Sequence, residues 1–272
     1  MNSWHRILGA ALFAALLASP AASQNSGLIR LTDRDDLFGW EAVGRVEQGA
    51  SGYCTGVLIA PDLVLTAAHC VFDRQGNRIA PETMRFRAGL RDGKTIAERG
   101  VARHVAPKAY DPLGGMSAEN VRNDAALLEL ETPIQSALAD PFVLHGAPRA
   151  GLRLSVVSYG RDRDSAPSWQ RDCGLEAFGG GLMQFDCDVT FGSSGAPVFT
   201  RDGHRARILS LVSGGSSDAV GTTAYGMELP ALVDALKRDL RAARPAQPAN
   251  GGFLRVQVGE GHRASGARFA RP

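Results

Sequence analysis

No internal stretch of the 272-residue chain is apolar for long enough to cross a bilayer; the one long apolar run lies at the extreme N-terminus. That excludes a multi-span membrane protein and reads as a soluble chain. Neither sign of charge is in excess. Thirty Lys and Arg face 28 Asp and Glu for a formal charge of +2, so there is no electrostatic case for nucleic acid as the main partner. Aromatic residues are sparse at 7%, yet a hydrophobic share of 44% is that of a globular protein and excludes wholesale disorder. The 32 Gly and 14 Pro fall far short of a collagen-like chain. Cysteine is limited to four residues with no Cys-x-x-Cys pair, and there are no internal repeats.

The N-terminal run has the form of an address. His5 and Arg6 precede an apolar stretch over 7–18, followed by Ser19, Pro20 and the small residues Ala21, Ala22 and Ser23. About twelve apolar residues are too few for a spanning helix. Small side chains at Ala21 and Ser23 suit a signal peptidase, which predicts a signal peptide over 1–23, cut after Ser23 within two residues. The expected location is therefore secreted or periplasmic, with no membrane contact beyond export. Residues 24–34 are a candidate pro-segment or N-terminal arm, 35–244 one globular unit, and 245–272 a tail. From Arg241 onward six Arg stand against Glu260 alone, a charge of +5, and the tail reads as solvated and disordered.

Export favours disulfides among Cys54, Cys70, Cys173 and Cys187. Three pairings are open. Neighbours in sequence favour Cys54–Cys70 and Cys173–Cys187, each closing a loop of about 15 residues and contributing roughly 3 kcal/mol on the chain-entropy model. The competing reading, a zinc site of His69 with the cysteines, is weakened by the missing Cys-x-x-Cys spacing.

Short apolar or alternating runs recur over 42–46, 56–59, 63–67, 125–130, 152–158, 196–199 and 208–212, separated by Gly, Pro, Asp and Ser. They predict an all-β protein, sandwich or barrel. One helix is expected over 229–240, where Leu229, Leu232, Val233, Leu236 and Leu240 form a stripe and Pro230 suits the first turn.

Three segments carry polar chemistry. His69 ends Leu65-Thr66-Ala67-Ala68-His69-Cys70; Asp124 opens the apolar run Ala125–Leu130; Ser194 sits within Gly192-Ser193-Ser194-Gly195-Ala196-Pro197. Taken singly these read as a structural histidine, a strand-entry acid and a Gly-Ser turn. Together they supply a nucleophile, a base and an acid to orient the base. In this order and with these neighbours, the chain resembles the trypsin-like serine proteases over roughly 38–240.

The resemblance implies two packed six-stranded antiparallel β-barrels with a C-terminal helix. It further implies His69, Asp124 and Ser194 as the triad and the N–H groups of Gly192 and Ser194 as the oxyanion hole. Ser213 would bond the triad acid, and Gly214 and Gly215 would border the primary substrate pocket. No metal or cofactor is called for; the partner is a protein or peptide substrate, and the expected state is a monomer.

The chain also departs from the animal members of that family. Ser193 stands where they carry the Asp that captures a new N-terminal amine, so any activation uses another device. The motif is closer to secreted bacterial members, glutamyl endopeptidases among them, although Val212 replaces the histidine of the glutamyl-specific enzymes. Asp188 lies six residues before Ser194, the offset of the acid that pairs with substrate Arg or Lys. With Cys187 beside it, the alternative is a carboxylate that holds a loop. Gly214 lacks the usual Trp and Thr223 falls near an expected pocket-wall Gly, and both weigh against a basic preference. Two rival functions use the same scaffold: a catalytically inactive binding protein, which would normally have lost His, Asp or Ser, and an esterase with the same triad. A protease-chaperone would need a peptide-binding module larger than the residues beyond Arg244.

Overall fold

A computed structural model describes residues 27–50, 52–201, 205–217 and 221–243. The expected signal peptide, its cleavage point and the basic tail lie outside these residues.

The first half contains β1 (Leu28–Arg30), β2 (Val43–Gln48), β3 (Tyr53–Ala60), β4 (Leu63–Thr66), β5 (Met84–Ala88), β6 (Ala97–Val105), α1 (Ala118–Arg122) and β7 (Ala126–Leu130). The second half contains β8 (Arg153–Ser158), β9 (Ser168–Gly179), β10 (Leu182–Phe185), β11 (Pro197–Arg201), β12 (Ala206–Leu211), β13 (Gly214–Ser217), β14 (Thr222–Met227) and α2 (Pro230–Ala242). Each of the seven expected apolar runs overlaps a strand, and α2 covers the expected helix with Leu229, Val233, Leu236 and Leu240 buried.

The order β2-β3-β4-β7-β6-β5 closes into a six-stranded barrel, as expected. The second half differs from the expected six-stranded barrel. Its strands follow the path β12-β11-β8-β9-β10-β14-β13, with β1 added beside β9, and among the described residues no strand pairing closes the path. The reason is that its two end strands are consecutive in the chain. At Val212–Ser213 the backbone leaves β11 for β14: Val212 N–H donates to Ala196, and Ser213 N–H to Tyr225. One bent segment thus occupies both ends of the path. Part of the candidate pro-segment is integral to this sheet, since Leu28–Arg30 pairs with Ser168–Gln170 and Leu31 is buried.

An aromatic cluster joins the two halves. Trp40, ahead of β2, packs on Phe199 of β11 and Trp169 of β9 with ring centroids 5.0 and 5.2 Å apart, and Phe142 lies 4.6 Å from Phe199. These rings bury large apolar surfaces and fix one half against the other. The cysteines pair as neighbours, Cys54–Cys70 and Cys173–Cys187. Their sulfurs are therefore not thiolates, and the reading of a zinc site with His69 falls away.

Candidate active site

β4 and β7 pair with Thr66 opposite Ala126, which brings the turn after β4 next to the residues that lead into β7. The turn is a 3₁₀ segment, Ala68–Val71, with Ala67 and Ala68 fully buried; larger side chains would not fit there. The Cys54–Cys70 bridge and a 2.7 Å bond from Gln48 Nε2 to the Cys70 carbonyl hold its far side.

Asp124 follows α1, whose first turn is capped by Ser117 and whose last turn ends at Asn123. The carboxylate is 3% exposed and is met by three donor groups. Its Oδ1 accepts the His69 backbone N–H at 2.9 Å, its Oδ2 accepts His69 Nδ1–H at 2.9 Å, and Ser213 Oγ donates to Oδ2 at 2.6 Å. A carboxylate only accepts, so Nδ1 carries the proton and Nε2 keeps a free lone pair. Burial acts to lower the His69 pKa, but the charge of Asp124 and the bond to it prevail, and the net shift is upward from 6.5.

Ser194 Oγ makes no hydrogen bond to His69 among the described residues; such a bond commonly tightens only when substrate is seated. Backbone contacts to both halves of the fold fix its position. The Ser194 carbonyl accepts Thr55 N–H of β3 at 2.9 Å, and Gly195 N–H donates to Val212 at 2.7 Å. Gly195 has φ +75°, and a Cβ there would lie 2.3 Å from Thr66 Oγ1 and 2.7 Å from the Ala67 nitrogen, so no other residue fits. Gly192 is equally constrained, with φ +88° and a notional Cβ 2.4 Å from the Tyr159 carbonyl. Its own carbonyl accepts from Thr55 Oγ1 at 2.8 Å, while that hydroxyl accepts Tyr159 N–H at 3.0 Å.

The N–H groups along this loop are divided between structure and an open face. Ser193 N–H is bonded to Thr190, Gly195 N–H to Val212 and Ala196 N–H to Ser193. Those of Gly192 and Ser194 have no acceptor among the described residues. An oxyanion hole requires two such donors.

Ser193 is fully buried and holds the loop without an ion pair. Its Oγ donates to Ser158 Oγ at 3.1 Å and accepts Thr190 N–H at 3.3 Å. Arg163 lies against Gly160, with Nη1 3.3 Å from Ser158 Oγ. Burial pushes the Arg163 pKa down, against the opposing influence of Asp188. The Arg163 guanidinium is thus linked to Ser193 through the Ser158 hydroxyl.

A cavity of about 330 Å³ opens beside Ser194, between Val189, Thr190 and Phe191 on one wall and Val212, Ser213, Gly214 and Gly215 on the other. The expected pocket residues Ser213, Gly214 and Gly215 are therefore at the site. Asp188 is not part of the lining; its backbone N–H donates to Gln170 Oε1 at 2.6 Å, beneath the wall formed by Val189. Sequence reasoning missed Thr55, Ser158 and Arg163, and only Thr55 had a signal, its place next to Cys54 in the first motif.

A closed β-barrel packed on a second antiparallel sheet, with a Ser loop, a His turn and a buried Asp between them, is the chymotrypsin-type fold. Residues 54–205 match the trypsin-like peptidase domain, and the chain belongs to that family. The glutamyl endopeptidase of Bacillus licheniformis is 28% identical over 177 residues, covering 64% of this chain and 53% of that protein. A trypsin of Sarcophaga bullata is 33% identical over 112 residues, covering 40% of each. The chain spans about half the length of these curated relatives. Among solved structures, a Glu endopeptidase in complex with MPD superposes with a TM-score of 0.65 at 18% identity, covering 79% of this chain and 97% of that one. The protease Anisep of Arthrobacter nicotinovorans gives a TM-score of 0.60 at 17% identity, covering 75% and 96%. At these identities the two structures speak for the fold.

Proposed function

We propose that the protein is a secreted or periplasmic serine endopeptidase. The observation that carries this reading is the buried Asp124, which bonds the His69 ring, the His69 backbone and Ser213 at once. In the proposed reaction Ser194 Oγ attacks the substrate carbonyl carbon as its proton passes to His69 Nε2, and Asp124 stabilises the imidazolium. The tetrahedral oxyanion is received by the Gly192 and Ser194 N–H groups, each worth about 3 kcal/mol in the transition state. His69 then protonates the leaving amine, giving an acyl ester on Ser194. Water, deprotonated by His69, cleaves that ester, releasing the acid and restoring the serine. The two disulfides support export to an oxidising compartment.

The base must be neutral to act, and the His69 pKa lies above 6.5. The ascending limb of kcat/KM against pH is therefore expected above pH 6.5, measured on a peptide whose own groups do not titrate there. The same pair stabilises the fold fully below about pH 6.5, and that contribution is lost as pH rises through the folded His69 pKa.

The preference for Arg or Lys expected from Asp188 has no support at the cavity wall, since Val189 lines it and Asp188 does not. Digestion of an unbiased peptide library, read by mass spectrometry, tests both activity and preference. Cuts whose pattern is unchanged in Asp188→Ser are expected. Cuts after Arg and Lys that vanish in that variant would restore Asp188 as the specificity acid, and no cuts at all would remove the endopeptidase reading.

A further inference from the structure

A cavity of about 250 Å³ lies at the end of the second sheet where β8 begins and β11 finishes. Arg149, Arg153, Arg171 and Arg201 line it, and no Asp or Glu does. Residues two apart in a strand share a face, and so do residues directly opposed on neighbouring strands. Phe199 opposes Ser155, so Ser155, Arg153 and Arg201 stand on one face of β8 and β11. β9 is bulged at this level. Between the pairs Leu154–Cys173 and Val156–Gln170 it sets Arg171 and Asp172 against Ser155 alone.

Little neutralises these cations. Arg153 pairs with Asp172, but Arg149, Arg171 and Arg201 form no ion pair among the described residues. Arg171 and Arg201 lie instead over the Trp169 ring, 4.8 and 5.2 Å from its centroid, which positions the guanidinium groups without cancelling their charge. The β8–β11 pairing ends at Leu154–Thr200, and one step further it sets Arg153 against Arg201; like charges so opposed destabilise a sheet. Ser155, which also lines the cavity, is 1% exposed, and its hydroxyl has no hydrogen-bond partner among the described residues. The buried Trp169 N–H likewise has no acceptor there. Donors are gathered here without acceptors, which buried polar groups rarely tolerate.

A guanidinium presents paired N–H donors that match the oxygens of a phosphate or sulfate. The volume falls below the roughly 300–1,000 Å³ of sites for drug-sized ligands, which suits a small ion or a single anionic group. We infer that the protein binds a doubly charged tetrahedral oxyanion, phosphate or sulfate, between Arg149, Arg171 and Arg201 and over Ser155. β11 leads away from the Ser194 loop, and at about 3.4 Å per residue Arg201 stands about 14 Å beyond Pro197. The site is therefore separate from the reaction centre and does not rest on the endopeptidase reading. The bound ion ties the segment before β8 to three strands and stabilises the fold.

Isothermal titration calorimetry of the whole purified protein with sodium phosphate and sodium sulfate, at an ionic strength held constant with chloride, tests this. One ion per chain is expected, with a Tm that rises with its concentration. Arg171→Gln and Arg201→Gln should each weaken binding about tenfold or more, and Ser155→Ala by about threefold to tenfold. Without the ion, Ser155→Ala should leave Tm unchanged or raised, because it removes an unpaired buried hydroxyl; a hydroxyl that serves packing alone would lower it. Methyl phosphate, titrated alongside, separates two sources of the same group. Affinity equal to that of phosphate assigns the site to a group carried on a larger molecule, exclusion of the ester assigns it to the free ion, and either upholds the inference. No binding of either dianion, or binding equally strong in all three variants, overturns it. Labelling of Ser194 by a small fluorophosphonate should be unchanged in the three variants; its loss together with binding would make the cluster a support of the Ser194 loop and overturn a separate site. A parent protein that binds the ion but takes no label would fail the endopeptidase reading and leave this inference standing.

Discussion

Replacing Ser194 by Ala is expected to lower kcat by roughly 10⁵- to 10⁶-fold, the loss seen when a serine nucleophile is removed from a triad that works as a unit. The side chain is half-buried and makes no hydrogen bond among the described residues, so its removal leaves no unpaired partner among them. Stability should stay within about 0.5 kcal/mol of the parent. The contacts that hold the loop, from Thr55 to the Ser194 carbonyl and from Gly195 to Val212, belong to the backbone and survive the change. Steady-state kinetics with thermal unfolding measures both quantities. A variant that keeps its activity would remove Ser194 from the mechanism.

Asp124→Asn should cost about 10⁴-fold in kcat near neutral pH, for a different reason. An amide has one accepting oxygen where the carboxylate has two. The buried side chain must still satisfy the His69 backbone N–H and Ser213 Oγ, both now served by Asp124. With the amide NH₂ turned toward the ring, His69 Nδ1 becomes the acceptor and Nε2 carries the proton, so the base can no longer take one from Ser194. The ionisation of His69 should respond as well. Burial alone acts to lower its pKa and only Asp124 raises it, so in the variant the pKa is expected to fall below 6.5. Titration of the His69 ring protons by NMR checks the sign. An unchanged pKa would mean that Asp124 does not govern the base.

Much of this arrangement was legible in the sequence because its parts are local. The Thr66-Ala67-Ala68-His69-Cys70 turn needs two small buried residues and a bridged cysteine in one short run, and the two glycines around Ser194 are forced by close backbone contacts. The α2 stripe was equally plain, since Val233, Leu236 and Leu240 are buried at helical spacing and Leu229 is buried just before them. Less legible were the strands that carry charge. β6 reads Ala-Glu-Arg-Gly-Val-Ala-Arg-His-Val and β9 contains Arg171, Asp172 and Glu176, because each turns one face outward and pairs its charges there, as Arg103 does with Glu129. β13, Gly-Gly-Ser-Ser, has no apolar pattern at all; its place is set by pairing with β14.

The support behind Ser194 was hidden for another reason. Ser158, Arg163 and Ser193 are ordinary residues up to 35 positions apart, and only the packing of β8 against β11 brings Ser158 to Ser193. Hydrogen bonds through the Ser158 hydroxyl link Arg163 to Ser193. The open end of the second sheet was likewise beyond a reading of apolar runs. It depends on a single bend at Val212–Ser213, the same bend that sets Ser213 on Asp124 and starts the edge strand beside the substrate cavity.

The central claim is that Ser194 is a nucleophile activated by His69 and Asp124. Its most direct test is to treat the purified protein with a fluorophosphonate and map the modified peptide by mass spectrometry, with Ser194→Ala as the control. One adduct per chain, on Ser194, absent from the variant and forming more slowly as His69 becomes protonated, is the predicted result. A folded protein that takes no label, or takes it on another residue, would contradict the claim.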